Sequence, residues 1–172
     1  MRLITSLLTL LPLAYAQTNT TNGIGSTPSQ RFVVSSTQAQ AIIKAAVANA
    51  TALNIPQNIA VVNPSGLLVA FLAMDNAYLA SIDISQKKAR TAVLFNGIPS
   101  SGLYAGAQPG QPVYGIEETN GGLVIFGGGF PIYVDGKLIG GVGVSGGSVE
   151  QDVQVATAGI LGLSGASPSA PS

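Results

Sequence analysis

Two short turn sequences, each set between apolar runs, restrict the possible folds of this chain more than any other feature. The first, Asn63-Pro-Ser-Gly66, has proline at the second and glycine at the fourth position of a β-turn. The second, Asp135-Gly136, is a strong signal for a two-residue hairpin turn. Each turn therefore predicts an antiparallel hairpin. The four strands that these hairpins join are predicted at 58–62, 67–73, 130–134 and 137–144.

Three helices are predicted around the hairpins. Ser35 and Ser148 each begin a capping-box pattern, and apolar residues recur at helical spacing after both. The helices are predicted at 35–53, 81–95 and 148–161, and a short apolar run at 123–126 is predicted as a further strand. This order of elements indicates an α+β fold, in which helices flank a five-stranded antiparallel sheet.

The N-terminal residues have the pattern of a secretory signal peptide. Arg2 precedes an apolar stretch at 3–13, and Ala14-Tyr15-Ala16 is the small-residue pattern that signal peptidase cleaves. Because that stretch is too short to span a bilayer, we expect a secreted protein that begins at Gln17 and has no membrane anchor. The predicted parts are a signal peptide at 1–16, a flexible leader at 17–33, one domain at 34–163 and a flexible tail at 164–172.

Charge is scarce along the chain. Seven basic and seven acidic residues cancel, and charged residues make up 8% of the sequence, against roughly 25% in an average globular protein. This balance provides no electrostatic attraction for nucleic acid or acidic lipid. A surface so poor in charge needs other means of staying soluble. We expect either N-linked glycans, at Asn19 and Asn49, or burial of apolar faces in a homo-oligomer.

The absence of histidine and cysteine removes several classes of site. Zinc, copper and iron–sulfur centres lose their ordinary ligands, and no metal site is predicted. Residues 143–147 match the nucleophile elbow of serine hydrolases, but no imidazole is present to activate Ser145. Residues 141–146 match a dinucleotide-binding fingerprint, yet its first two glycines fall inside a predicted hairpin strand. Residues 143–147 therefore indicate either a tightly packed turn or backbone amides that face a ligand.

Two acidic residues and several loop residues are the candidates for chemistry. Glu117 and Asp152 are predicted to act as general acid or base. Lys88 either reaches a ligand or extends along the apolar surface. The amides of Gly146, Gly147 and Ser148 are predicted to hold a carboxylate or an oxyanion, and Tyr104, Tyr114, Asn120, Gly128 and Ser145 complete the predicted ligand-binding residues. We expect one pocket among 104–120, 127–131 and 145–148.

Several segments, spread in the family's order over about 34–163, resemble the GlcG/HbpS family of haem-degrading-type domains. They are 58–66, 80–84, 88–92, 114–117, 120–122, 128–131 and 143–152. The resemblance implies a profilin-like three-layer α/β/α arrangement around a five-stranded antiparallel sheet. It also implies assembly into dimers and larger homo-oligomers, and the binding of a small ligand, which in some members is haem.

For haem, the chain departs from that pattern in its donor set. Since histidine and cysteine are absent, an axial ligand would have to be Met74, a tyrosine or something weaker. We therefore expect no cofactor. The predicted function is a secreted small-molecule-binding domain and, if an enzyme, a cofactor-free isomerase, dehydratase or cyclase of a carbonyl compound. The alternatives are an extracellular haem-binding or redox-sensing protein without turnover, and a purely structural oligomer.

Overall fold

The computed structural model describes residues 32–170, which fold as three α-helices, five β-strands and three short 3₁₀ turns. The helices are α1 (Ser36–Ala52), α2 (Ala80–Leu94) and α3 (Val149–Leu161). The strands are β1 (Asn58–Val62), β2 (Leu68–Ala73), β3 (Gly129–Val134), β4 (Lys137–Ser145) and β5 (Ala166–Ser167). The 3₁₀ turns, at Ser100–Leu103, Ala105–Ala107 and Ile116–Glu118, lie between α2 and β3. The predicted signal peptide, Asn19 and most of the predicted leader lie outside the described residues.

One antiparallel sheet contains the five strands in the order β2-β1-β4-β3-β5. Both predicted hairpins are present, β1 with β2 and β3 with β4. Asp135 and Gly136 both have positive φ, 49° and 74°, as a tight hairpin turn of the type I′ class requires. The α+β class and the five-stranded antiparallel sheet are therefore confirmed.

Helices cover both faces of this sheet and give it three layers. On one face, α1 and α3 pack against each other and against Ile59 and Val144 in the main hydrophobic core. On the other face lies α2, where Ala89 packs with Val62 of β1. Among residues 32–170, no helix is long and apolar enough to cross a membrane.

Helices α1 and α3 begin at the predicted capping boxes. The Ser35 hydroxyl oxygen accepts from the Gln38 amide at 3.2 Å, while the Gln38 side chain accepts from the Ser35 amide at 2.9 Å. Ser148 and Gln151 make the same reciprocal pair at the start of α3, at 3.4 and 2.8 Å. Each box satisfies two amides that a helix start leaves without partners, so both predicted starts are confirmed.

The strand predicted at 123–126 is wrong. The Val124 amide donates to the Thr91 hydroxyl oxygen at 3.2 Å, and the Phe126 carbonyl accepts from the Ser100 hydroxyl at 2.6 Å. These backbone groups therefore bond to side chains instead of a neighbouring strand. The fifth strand is β5, which pairs with the end of β3 and lies in the segment predicted as a tail. Two residues are too few to show a strand pattern in the sequence.

Glycines of β4 let α2 approach the sheet closely. A Cβ at Gly143 would overlap the Ser85 carbonyl oxygen and lie 2.5 Å from the Ala89 amide nitrogen. A Cβ at Gly141 would lie 2.7 Å from the Ala89 carbonyl oxygen. The sequence that matches a dinucleotide fingerprint thus serves helix–sheet packing, inside a strand of an antiparallel hairpin.

Candidate functional site

A buried ion pair occupies the region that the sequence predicted as a pocket. The Lys88 ammonium of α2 donates to the Asp152 carboxylate at 2.6 Å and to the Val144 carbonyl oxygen at 2.9 Å. The Lys88 side chain is fully buried, and that of Asp152 is 3% exposed. The Phe126 ring centroid lies 4.7 Å from Lys88 Nζ. Burial lowers the pKa of Lys88, and the hydrogen bond and charge of Asp152 oppose this shift only in part.

Gly128, a predicted ligand-binding residue, packs directly on this ion pair. A Cβ at Gly128 would lie 2.7 Å from the Val144 carbonyl oxygen, 2.8 Å from Lys88 Nζ and 2.9 Å from Asp152 Cβ. At this point the structure has no room for even a methyl group. The glycine here allows close approach of β3 to the ion pair.

Three backbone amides were predicted to hold an anion. Two of them instead donate hydrogen bonds to side chains of the same segment. The Gly147 amide donates to Asp152 Oδ1 at 3.0 Å, and the Ser148 amide donates to Gln151 Oε1 at 2.8 Å. The Ser145 hydroxyl is buried and pairs with the Ser81 hydroxyl at 3.2 Å. The segment therefore caps α3 with its own side chains.

The two predicted acids lie in different surroundings. Both carboxylate oxygens of Asp152 have partners, Lys88 at one and the Gly147 amide at the other. Glu117 is half-buried in the loop, and its Oε2 is buried without a hydrogen-bond partner among the described residues. Their roles in proton transfer stay predictions. Within residues 32–170, no three His, Cys, Asp or Glu side chains form a group that could hold a metal ion.

Three predicted residues lie on the loop before β3. Tyr104 and Tyr114 are 54% and 66% exposed, and the Asn120 carbonyl accepts from the Arg90 guanidinium at 3.3 Å. In the described part of the chain, no hydrogen bond joins these three residues to the buried ion pair. The predicted site residues thus form two groups, one packed around the ion pair and one on this exposed loop.

Asn49, predicted as a glycan acceptor, lies inside α1. Its side-chain oxygen is buried without a hydrogen-bond partner in the described chain, and Thr51 of the same sequon donates to the Val47 carbonyl at 2.8 Å. N-glycan acceptors normally lie in surface loops. Glycosylation of Asn49 stays a prediction, and this burial counts against it.

An open apolar groove runs between α1 and β2, and we call it the α1–β2 groove. It has a volume of about 610 Å³. Its lining residues are Gln40, Ile43, Lys44, Val47, Val69, Ala70, Phe71 and Leu72. Lys44 is the one charged residue of α1, and it makes no salt bridge with any described residue. Sequence reasoning missed this groove, although a single lysine in an otherwise uncharged helix was a usable signal.

A second open space lies where α3 begins, and we call it the amide-lined cavity. It has a volume of about 510 Å³. Its lining residues are Asn54, Ile55, Pro56, Asn76, Tyr78, Gly146, Gly147, Ser148 and Gln151. Three of the predicted ligand-binding residues, Gly146 to Ser148, line it. Of the remaining lining residues, Gln151 lies in the first turn of α3, and the others, at positions 54–56, 76 and 78, come from segments distant in the sequence.

A family model described as "Haem degrading protein HbpS-like" matches residues 34–161. The chain belongs to the HbpS-like family. A relative from Citrobacter freundii, described as an uncharacterized 15.0 kDa protein, is 38% identical over 123 residues, which are 71% of this chain and 86% of the relative. The corrinoid adenosyltransferase PduO of the same organism is 36% identical over 120 residues. These cover 69% of this chain and 36% of PduO, so the chain spans about a third of that enzyme.

Solved structures of HbpS-like proteins share the fold. A complex of PduOC with haem has a TM-score of 0.74 and 36% identity, over 79% of this chain and 98% of PduOC. The Klebsiella pneumoniae protein ORFY has a TM-score of 0.74 and 36% identity, over 81% of this chain and 97% of ORFY. HbpS has a TM-score of 0.69 and 28% identity, over 81% of this chain and 94% of HbpS. The family resemblance predicted from the sequence is confirmed.

The expectation of no cofactor is wrong. A structural relative with 36% identity is a haem complex, and the family model itself describes haem-degrading proteins. The expectation was wrong because the absence of histidine and cysteine was taken to exclude haem. Those residues supply strong axial ligands, but apolar contacts and paired charges also hold a bound cofactor.

Proposed function

We propose that this protein binds haem in the α1–β2 groove. Membership of the HbpS-like family and the similarity to the PduOC–haem complex support haem as the ligand. The groove supports the location, because a mostly apolar lining with few polar groups is typical of cofactor sites. The observation that carries the proposal is Lys44, the one charged residue of a mostly apolar lining, which makes no salt bridge with any described residue.

The groove matches two of the three chemical features of haem. Ile43 and Val47 of α1 and the side chains of β2 offer apolar contact to the porphyrin faces. The Lys44 ammonium offers a partner for the porphyrin carboxylates. The third feature, the iron, has no strong ligand here, because no His, Cys, Met or Tyr lines the groove. The donor set therefore supports haem held by its faces and carboxylates.

Bound haem supplies a redox-active iron and a strong visible absorption band. The apolar lining would shield the porphyrin face that it contacts from water, and Lys44 would orient the macrocycle through a porphyrin carboxylate. Without a protein imidazole or thiolate on the iron, the absorption spectrum should be that of weakly ligated iron.

Titration of the full chain with haemin, followed by absorbance in the Soret region, tests the proposal. We expect saturable binding, and we expect Lys44→Glu to raise the Kd about five- to tenfold by turning attraction into repulsion. Lys137→Glu makes the same change of charge on β4, outside the groove, and serves as the matched control.

Two results would contradict the groove as the haem site. Equal weakening by both charge reversals would point to a general charge effect. The second result is a Lys44→Glu variant with the Kd of the parent chain but a different molar mass by light scattering. It would indicate that a second copy of the chain covers the groove.

We also propose that the chain is exported. The basic start, the apolar stretch at 3–13 and Ala14-Tyr15-Ala16 support a cleaved signal peptide. Expression in a secreting host, followed by N-terminal sequencing of the protein from the medium, should give Gln17 as the first residue. Retention of the chain inside the cell with its first residues intact would refute export.

A further inference from the structure

A buried glutamine lies behind the amide-lined cavity with its side-chain hydrogen bonds unmade. Gln57 is fully buried, and neither its Nε2 nor its Oε1 has a partner among the described residues. A buried amide in this condition is destabilising, because it has lost its bonds to water without replacement. Such groups in a folded protein call for a specific explanation.

The Gln57 amide faces the glycines that line the cavity. The position that a Gly147 Cβ would take lies 3.0 Å from Gln57 Nε2 and 2.7 Å from Gln151 Oε1. A Gly146 Cβ would lie 2.8 Å from Gln57 Oε1. Gln57 does not itself line the cavity, whereas the exposed Gly147 does, and the side chains of Gln57 and Gln151 lie directly beside Gly147. A ligand group that displaces the Gln151 side chain from this position would meet the donor and the acceptor of the Gln57 amide.

The remaining lining indicates an uncharged ligand. The cavity residues include no charged side chain. Glu150 and Asp152 lie in the first turn of α3 and counter its positive end, and the Gly147 and Ser148 amides are already bonded. Hydrogen bonds from the Glu150 backbone and from Ser148 lower the pKa of Glu150, which keeps that carboxylate negative. An anion gains nothing in these surroundings.

The chemistry of the lining fits a ligand rich in hydroxyl groups. Asn54, Asn76 and Gln151 carry amide groups, each of which can donate and accept hydrogen bonds. Tyr78 is 71% exposed and offers an aromatic face for the C–H groups of a sugar ring. A volume of about 510 Å³ is within the range of small-molecule sites.

We propose that the amide-lined cavity binds an uncharged, hydroxyl-rich small molecule of the sugar class, with Gln57 bonding to it from behind Gly147. This site shares no lining residue with the α1–β2 groove and does not depend on haem binding.

Calorimetric titration of the full chain with glucose, N-acetylglucosamine and maltose, against acetate and phosphate as anionic probes, tests the site. We expect at least one neutral probe to bind at millimolar concentration and to raise the Tm, while the anions do neither. We expect Gln57→Leu and Tyr78→Ala each to weaken that binding about tenfold or more. Leu67→Ala removes another exposed apolar side chain away from the cavity, and it should bind as the parent chain does.

The Tm without ligand provides a second readout. Gln57→Leu should match or exceed the parent Tm, because it removes an unsatisfied buried amide and keeps the volume. If Gln57→Leu does not fold, binding of the neutral probe by Tyr78→Ala alone tests the site, because Tyr78 is exposed. The proposal fails if no neutral probe binds, if an anion binds more tightly than every neutral probe, or if Tyr78→Ala and Leu67→Ala bind alike.

Discussion

The two sides of this molecule use polar groups in opposite ways. Around Lys88 and Asp152, each charged group has its partners, and glycines bring the backbone so close that no space remains. Elsewhere in the described chain, Lys44 has no salt bridge and lines the α1–β2 groove. Gln57 has no side-chain hydrogen bond and lies behind two glycines that line the amide-lined cavity. The comparison teaches that glycine-rich sequence marks close packing as readily as a binding surface. The proposed ligand sites therefore rest on unsatisfied polar groups near open space and not on the glycine motifs.

Replacing one member of the buried ion pair should have the largest effect on stability. Asp152→Asn keeps an acceptor for the Gly147 amide but leaves the Lys88 ammonium without its counter-charge. We expect the free energy of unfolding, from urea denaturation, to fall by about 3–5 kcal/mol.

The double variant Lys88→Met/Asp152→Leu is the control, because it removes both charges and fills the space. It should recover most of the lost stability. A double variant as unstable as Asp152→Asn would mean that the hydrogen bonds to Val144 and Gly147 matter more than the charges.

The loss in Asp152→Asn should depend on pH. Burial lowers the pKa of Lys88, and removing Asp152 removes the charge that opposes this shift. Between the folded value and the unfolded value near 10.5, the unfolded chain holds one more proton than the folded chain, so stability rises with pH. Relative to the double variant, Asp152→Asn should regain stability as the pH rises towards 10.5, by at most about 1.4 kcal/mol per pH unit. A constant difference would show that Lys88 is not the titrating group.

Matched alanine substitutions compare the packing on the two sides. Gly143→Ala forces a methyl group into the backbone of α2 and should cost about 1–3 kcal/mol. Gly147→Ala meets side-chain atoms of Gln57 and Gln151 and no other backbone, and its own backbone has no positive φ, so it should cost less than about 1 kcal/mol. Thermal denaturation measures both. Equal losses of stability in the two variants would show that the packing at Gly147 is as tight as the packing at Gly143.

Removing the capping box at the cavity rim should have a small effect on stability. Ser148→Ala removes the acceptor for the Gln151 amide, and we expect a loss of about 1 kcal/mol. Ser35→Ala makes the same change at the start of α1, away from the cavity. If the loss at Ser148 is several times that at Ser35, the cavity rim depends on more than helix capping.

Much of the fold could be predicted because its signals are local. The turns at 63–66 and 135–136 and the boxes at Ser35 and Ser148 each specify a structure within a few residues. The strand at 123–126 failed because hydrogen bonds to Thr91 and Ser100 determine its backbone, and those partners lie more than twenty residues away.

The candidate site was harder to predict than the fold. Lys88 and Asp152 were identified as unusual, yet their 2.6 Å contact joins residues 64 apart in the sequence. The burial of Gln57 depends on the packing of Gly146 and Gly147 and has no counterpart in the local pattern. The cofactor expectation failed for a different reason, because the types of residue present restrict iron ligation and leave porphyrin contact undetermined.

The short strand β5 has a consequence for how the folded unit ends. Ala166 and Ser167 cover the outer edge of β3 at Val134 and Tyr133, beyond the last residue of the family match. Proteolytic trimming just after Leu163 would bare those edge amides and carbonyls, and a bare strand edge recruits strands from other molecules. Because this protein has few charged residues, we expect the pairing of Ala166 and Ser167 with β3 to limit aggregation.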